Sequence, residues 1–403
     1  MMMKRSSNLR IFGNMLLKNK KTQTCVVPRQ EKSSFATLTN SSRRMMPPDG
    51  MGCGNVRDEM LSTSLVAPQW QHVLSPKTVS IIGAPMTYGQ PYGGTDDGPA
   101  LLREAGLLNQ LTSLGWRVED MPDLDFSLNQ LLKNESDYKT IEDSDAKNSL
   151  LVGRGAYELA KLVESKILAG KFPLILGGDH SITMGSLAGI LRAKPETGVL
   201  WIDAHADLNT PSTSESGNMH GMPIGMLMDE MNVNHASIPG CEWLAKPSDG
   251  DKDNNSNNTV PRIKPDSIVY IGLRDVDAEE RRAIRELGIC AYTMHDIDHY
   301  GIGRIMDMAM AHLRAKQSNR PIHLSFDIDA VDPALAPATG TAVRGGLTYR
   351  EAHYIAEAAA KTGLLASADM VELNPTLSDG EGVRKTVGLG LRILTSLLGK
   401  SII

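Results

Sequence analysis

The 403-residue sequence has four cysteines, Cys25, Cys53, Cys241 and Cys290, and no two of them form a CxxC pair. That scatter argues against a disulfide framework and against a thiolate zinc site, and it favours a reducing interior compartment. Excess positive charge is also missing. The formal net charge is −5, so no global basic field points to nucleic acid. No apolar run approaches the length needed to span a bilayer, and no internal repeat is evident. Acids are nearly absent at the start: the first 48 residues hold ten Lys or Arg and one acid, Glu31. The apolar core of a secretory signal is missing there too. This basic, Ser-rich stretch can wind as a short helix with Leu9, Ile11, Phe12, Leu16 and Leu17 on one side, which reads as a mitochondrial transit segment. The alternatives are a tail without a targeting role and a cytoplasmic protein. An N-terminal extension is expected over 1–75 and a folded domain over 76–403.

What is present begins with 41% hydrophobic residues, enough for a well-filled core. From residue 78 onward, apolar strands alternate with amphipathic helices. TVSIIGAP reads as a buried strand and GPALLREAGLLNQL as a helix opening at Gly98-Pro99. RGAYELAKLVESKILAG, over 154–170, is a second helix, followed by the strand PLIL and the helix SITMGSLAGILRA. VLWIDAH, SIVYIGLR, ICAYTM, IHLSFDID and LLASADMVELNP continue the strands, and TYREAHYIAEAAAKTG and RKTVGLGLRILTSLLG are among the later helices. This alternation predicts an α/β fold of three layers, helices packed on both faces of a mostly parallel central sheet. Polar stretches near 133–149 and over 247–259 read as surface loops.

Five of these strands end in polar chemistry. PLIL leads into GGDH with His180, VLWI into DAHAD with Asp203, His205 and Asp207, and IVYI into GLRDVD with Asp277. IHLSF runs into Asp327 and Asp329, and ASADMV into Glu372. Ligands of open α/β sheets gather beyond the carboxyl ends of the strands, so these exits converge on one candidate site. Residues two apart on a strand share a face, which places Asp203, His205 and Asp207 together and Asp327 with Asp329. A lone DxD is commonly a turn, and a lone loop histidine is commonly just satisfied by hydrogen bonds. Together the six side chains offer two imidazoles and four carboxylates. That number serves two cations only if carboxylates bridge, as in two-metal hydrolytic sites. An oxygen-rich set without cysteine suits manganese or magnesium better than copper or structural zinc, and the imidazoles favour manganese over magnesium.

The motifs GGDHS, DAHxDxN, SGNxHGMP, GLRDVD, SFDxDxxDP and VELNP, in this order over residues 78 to 398, resemble the arginases of the ureohydrolase family. The resemblance implies the arginase/deacetylase-like fold, a catalytic domain over 76–403 and hydrolysis of L-arginine to L-ornithine and urea. It implies two manganese ions per chain, with His180, Asp203 and Asp207 on one, His205 and Asp329 on the other, and Asp203 and Asp327 bridging. A hydroxide between the metals would attack the guanidinium carbon. Asp207, His220 and Glu372 form the implied catalytic set, His220 as proton shuttle and Glu372 as guanidinium clamp. Asn209, Ser214 and Ser216, with Asn218 close by, would hold the α-carboxylate. Asp277 would take the α-amino group, Glu280 would assist through water, and Thr341 joins the substrate-binding set. The family further implies a homotrimer and a small-molecule substrate, with no nucleic acid or membrane partner. Glu215 departs from the small hydroxyl residue expected beside the carboxylate pocket, and it is expected to point outward. The alternatives are an agmatinase or other guanidino-compound hydrolase, and a catalytically dead relative. The first has no α-carboxylate to recognise, and the full ligand set gives the second no support.

Overall fold

The computed structural model describes residues 78–134, 136–137, 145–246 and 259–401. The proposed transit segment and most of the Asn-rich stretch over 247–259 lie outside the described residues. The described residues belong to a compact unit spanning Ala67–Ile403.

Eight strands form one sheet: β1 Thr78–Ala84, β2 Arg117–Asp120, β3 Phe172–Gly177, β4 Gly198–Ile202, β5 Ile268–Leu273, β6 Cys290–Thr293, β7 Ile322–Asp327 and β8 Leu365–Val371. Their order is β2-β1-β3-β8-β7-β4-β5-β6, and every pairing is parallel. A parallel strand covered on both faces must be apolar on both, and these strands divide their residues between two separate cores. Ile81, Leu174, Leu200 and Val269 enter one core, while their neighbours Ile82, Ile175, Trp201 and Tyr270 enter the other. The first core is closed by the helices Gly98–Glu104, Ile302–Arg314, Tyr349–Lys361 and Gly380–Leu397. The second is closed by Ser149–Leu168, Thr183–Ala193 and Pro223–Leu227. The three expected layers are therefore present. Trp201, Tyr270 and Phe326 are among the largest fully buried side chains. Truncating one such ring to alanine typically costs about 3–5 kcal/mol.

Three details differ from the sequence reading. The helix expected from Gly98 breaks at Gly106, whose φ of 95° lies in the left-handed region that glycine tolerates, and a second helix runs Leu107–Ser113. The helix expected from 154 begins at Ser149, because Leu150, Leu151 and Val152 are already core residues. The stretch near 133–149 is not wholly a solvated loop. Asp137 is buried with its carboxylate 2.6 Å from Arg154, and Lys147 donates its amide to the Gly217 carbonyl at 2.8 Å.

The five strands with polar exits, β3, β8, β7, β4 and β5, are consecutive neighbours in the sheet. Because all are parallel, their carboxyl ends share one rim. The sheet order thereby brings together exits that lie up to 192 residues apart in sequence, the separation of His180 and Glu372.

Candidate metal centre and active site

The two acidic motifs reach the rim through the same local device. β4 ends at Ile202 and β7 at Asp327, so Asp203, His205, Asp207 and Asp329 are not strand residues sharing a pleat. Instead Asp203 Oδ1 accepts the amide of His205 at 2.7 Å, and Asp327 Oδ1 accepts the amide of Asp329 at 2.7 Å. Such Asx turns arise because a short acid can bond the backbone two residues on, ending the ladder. Each turn leaves the first aspartate's other oxygen facing inward. Asp207 then adopts a left-handed backbone, φ 49°, which brings its carboxylate back to the centre.

His180 Nδ1 lies 3.1 Å from each of Asp203 Oδ2, Asp207 Oδ2 and Asp327 Oδ2. His205 Nδ1 lies 3.1 Å from Asp329 Oδ2 and 3.4 Å from Asp203 Oδ1. Two groups with metal-ligating spacing result, His180–Asp203–Asp207 and Asp203–His205–Asp329, and Asp203 presents one oxygen to each. Asp327 Oδ2 stands with the first group.

The residues fit a pair of cations on three counts. His180 Nδ1 is buried without a hydrogen-bond partner despite the oxygens around it. Burial pushes the Asp327 carboxyl well above its usual range, and the charges of Asp329 and Asp203 push it further. Burial and Asp203 likewise raise Asp207 to about 6. Burial alone would lower both imidazoles, yet the surrounding carboxylates lift His180 and His205 far above the ordinary value. Four buried carboxylates around two imidazoles demand compensating positive charge. An oxygen and imidazole set without thiolate selects hard or borderline divalent ions.

Around this centre the next residues fix the ligands. Trp201 stacks on His180, with ring centroids 4.2 Å apart, and its Nε1 donates to Asp203 Oδ2 at 2.9 Å. Ser325 Oγ meets His180 Nε2 at 2.9 Å. Glu372 is buried in a left-handed conformation, φ 64°, and its Oε1 accepts the His180 amide at 2.8 Å. The same oxygen lies 3.2 Å from His220 Nδ1, while Oε2 accepts Gln90 Nε2 at 3.2 Å. Burial opposes charge on His220, but the bond to Glu372 and its charge raise the imidazole to about 9. Asp179 accepts the Gly89 amide at 2.8 Å, and His220 donates its amide to the Gly89 carbonyl at 3.0 Å, so one turn links both histidine loops. Sequence reasoning did not single out Gln90, Trp201, Ser325 or Asp179 as site residues. Asp179 lies inside GGDH and Ser325 two residues before Asp327, but Gln90 carries no local signal.

The remaining expected substrate-binding residues are placed as follows. Asn209 is buried and donates Nδ2 to Asp277 Oδ2 at 2.9 Å, which joins two positions expected to hold opposite ends of one substrate head. Asp277 itself is exposed. Ser214 and Ser216 hydroxyls stand 3.4 Å apart and accept the amides of Gly217 and Asn218 respectively. Glu215 is exposed, as expected. Thr341 donates to Asp329 Oδ2 at 2.9 Å, so it braces the second ligand group. Glu280 also has a structural role. Both its oxygens are engaged with backbone, Oε1 with the Leu208 amide at 2.9 Å and Oε2 with the Asp277 amide at 3.0 Å. It ties the DAHADLN turn to the start of the helix Ala278–Leu287 and is buried.

The sequence pattern of the arginase family matches residues 77–399. An arginase of Glaciozyma antarctica (strain PI12) is 41% identical over 329 residues, covering 82% of this chain and 90% of that protein. The "Arginase-2, mitochondrial" of Homo sapiens is 42% identical over 333 residues, covering 81% of this chain and 86% of that one. Among solved structures, the native arginase of Bacillus caldovelox superposes with a TM-score of 0.70 at 38% identity, covering 81% of this chain and all of that one.

Proposed function

The chain belongs to the arginase family, and we propose that it hydrolyses L-arginine to L-ornithine and urea at this rim. The observation that carries the reading is the pair of ligand groups sharing Asp203, with the Glu372–His220 pair bonded directly to their His180. His180, Asp203, Asp207 and Asp327 would hold one ion, and His205, Asp203, Asp327 and Asp329 the other. Two divalent cations, manganese by the chemistry of the donor set, would when bound supply Lewis acidity that generates a nucleophile from water near neutral pH.

The chain's own residues supply the rest. A guanidinium is planar, resonance-stabilised and always protonated, so it must be held flat with its carbon toward the ligand groups. Glu372 would be the carboxylate that does this. It is buried, and its orientation is fixed by the His180 amide and by Gln90, so little ordering is needed on binding. His220, raised to about 9 beside Glu372 in the metal-free protein, would give its Nδ1 proton to the departing amine. Its side chain is 16% exposed, which leaves a route for recharging from solvent. Farther out, Asp277 would bind the α-ammonium, and Asn209, Ser214, Ser216 and Asn218 would bind the α-carboxylate.

Location in the mitochondrial matrix and assembly as a homotrimer belong to the same proposal. The first is supported by the basic, acid-poor start, the second by the family resemblance. Urea release from L-arginine and agmatine, compared on manganese-loaded protein, tests the activity. No urea from arginine would overturn it, and agmatine preference would move the substrate assignment.

A further inference from the structure

The face of the sheet beneath His180 breaks the rule that governs the neighbouring strands β3, β4 and β5. β7 sends Ile322, Leu324 and Phe326 into one core, and β8 sends Ala368 and Met370 into the same one. On their opposite face, where β3, β4 and β5 place Ile175, Trp201 and Tyr270, these two strands carry His323, Ser325, Ser367 and Asp369. All four are fully buried. Register sets Ser325 beside Asp369 and His323 beside Ser367, so the four form a block ending at Asp327 on the rim. Central parallel strands are ordinarily continuous apolar runs. A buried ionic pair is weak evidence of stabilisation, because an apolar replacement is often as stable or more so. The block therefore calls for another role, and its connections supply one.

His323 Nε2 meets Asp369 Oδ2 at 3.2 Å, and its Nδ1 meets Ser367 Oγ at 3.0 Å. The helix Thr183–Ala193, which follows His180 in the chain, adds two hydroxyls to the same carboxylate oxygen, from Ser186 at 3.0 Å and Thr183 at 3.2 Å. Asp369 Oδ1 is buried without a hydrogen-bond partner, and Ser325 stands directly across from Asp369 in the strand register, so its hydroxyl is the donor we assign to that oxygen. A serine has one hydroxyl proton. If Ser325 gives it to Asp369, its oxygen can only accept from His180 Nε2, 2.9 Å away. His180 then carries its proton on Nε2, and Nδ1 is bare toward Asp203, Asp207 and Asp327.

We propose that Asp369, paired with His323, is a positioning residue for the metal centre, acting through Ser325 to fix the tautomer and orientation of His180. The inference rests on the reading of this rim as a two-cation site. Partners that orient a metal-bound histidine typically contribute 10- to 100-fold in metal affinity. Standing one bond farther out, Asp369 should contribute about tenfold, confined to the ion that His180 holds.

The test titrates manganese alone into the chelator-stripped full-length protein, in competition with a metal-binding dye. Wild type should bind two ions; fewer than two would sink the two-cation reading and not merely this inference. Asp369→Asn keeps the shape and removes the charge. It should weaken one ion about tenfold and leave the other within twofold, while the pH midpoint for binding the weakened ion moves upward. Unchanged affinities, or equal weakening of both ions in step with a lower melting temperature, would overturn the proposal. Ser325→Ala leaves the His323–Asp369 contact intact and carries the test alone if the first variant does not fold. It should weaken the same single ion, and no loss would overturn the proposal. In the double variant the losses should not add, since both remove one link; fully additive losses would refute the relay.

Discussion

Asp277→Asn isolates the charge proposed to read the amino-acid head. Asp277 performs two structural tasks besides: it stands at the N-cap of the helix Ala278–Leu287, and it accepts Asn209 Nδ2 at 2.9 Å. Alanine would remove these along with the charge, at about 0.5–2 kcal/mol for the cap alone. Asparagine caps as well as aspartate and can still accept from Asn209, so the fold should be retained. A charge-assisted bond to an ammonium is worth about 1.5–3 kcal/mol. Because Asp277 is exposed, solvent screening places the loss at the lower end, about 1.5 kcal/mol, or roughly tenfold. kcat/KM for L-arginine should therefore fall about tenfold, with KM carrying part of the change and manganese content intact. Agmatine keeps the amine and lacks only the α-carboxylate, so its activity should fall too, by up to the same factor. Steady-state kinetics on arginine, with metal analysis of the same samples, decides the matter. An unchanged kcat/KM for arginine at intact manganese content would refute Asp277 as the ammonium-binding carboxylate.

Further outcomes are expected elsewhere. Asp203→Asn should weaken both manganese ions, because Asp203 faces both ligand groups, whereas Asp207→Asn should weaken only one; metal titration distinguishes them, and equal effects would contradict the observed sharing. His220→Asn should lower kcat by 10²- to 10⁴-fold with near-normal metal content, the range for removing a proton-transfer group, and unchanged turnover would hand that step to another group. In metal-free protein, burial lowers the His220 imidazole but Glu372 raises it to about 9. The pair's stabilisation is thus complete below the unfolded value near 6.5 and lost as pH rises through 9. Urea denaturation between pH 7 and 9 should show that decline, and His220→Asn should flatten it. Deleting residues 1–48 should leave catalysis intact and shift a tagged protein from mitochondria to cytosol; a cytosolic full-length protein would refute the targeting assignment alone.

The sequence by itself determined the layers and the chemistry of the rim. Apolar runs such as VLWI and IVYI can only be two-sided strands, and acids or histidines directly behind five of them can only emerge at strand ends. The candidacy of the six metal-ligand residues and of Glu372 was legible for that reason, whereas His220, in a loop turn, was indicated only by the family motif. The mechanism of their convergence was not legible. Strand alternation suggests a shared pleat for Asp203, His205 and Asp207, but Asx turns and the left-handed backbone of Asp207 bring them together. Backbone hydrogen bonds formed by an acid two residues upstream compete with the ladder, and which wins depends on the surrounding packing. Glu280 shows the same limit, since its spacing from Asp277 fits both a substrate contact and the capping role that it performs. Gln90 and the Asp369–His323 pair were out of reach for a simpler reason. Gln90 lies in the loop after β1, 282 residues from its partner Glu372 just past β8, and Asp369 lies 44 residues from Ser325 on a strand, β8, that only the sheet order sets beside β7. A polar residue inside an apolar strand is merely costly until the fold supplies the group that satisfies it, and only tertiary structure names that group.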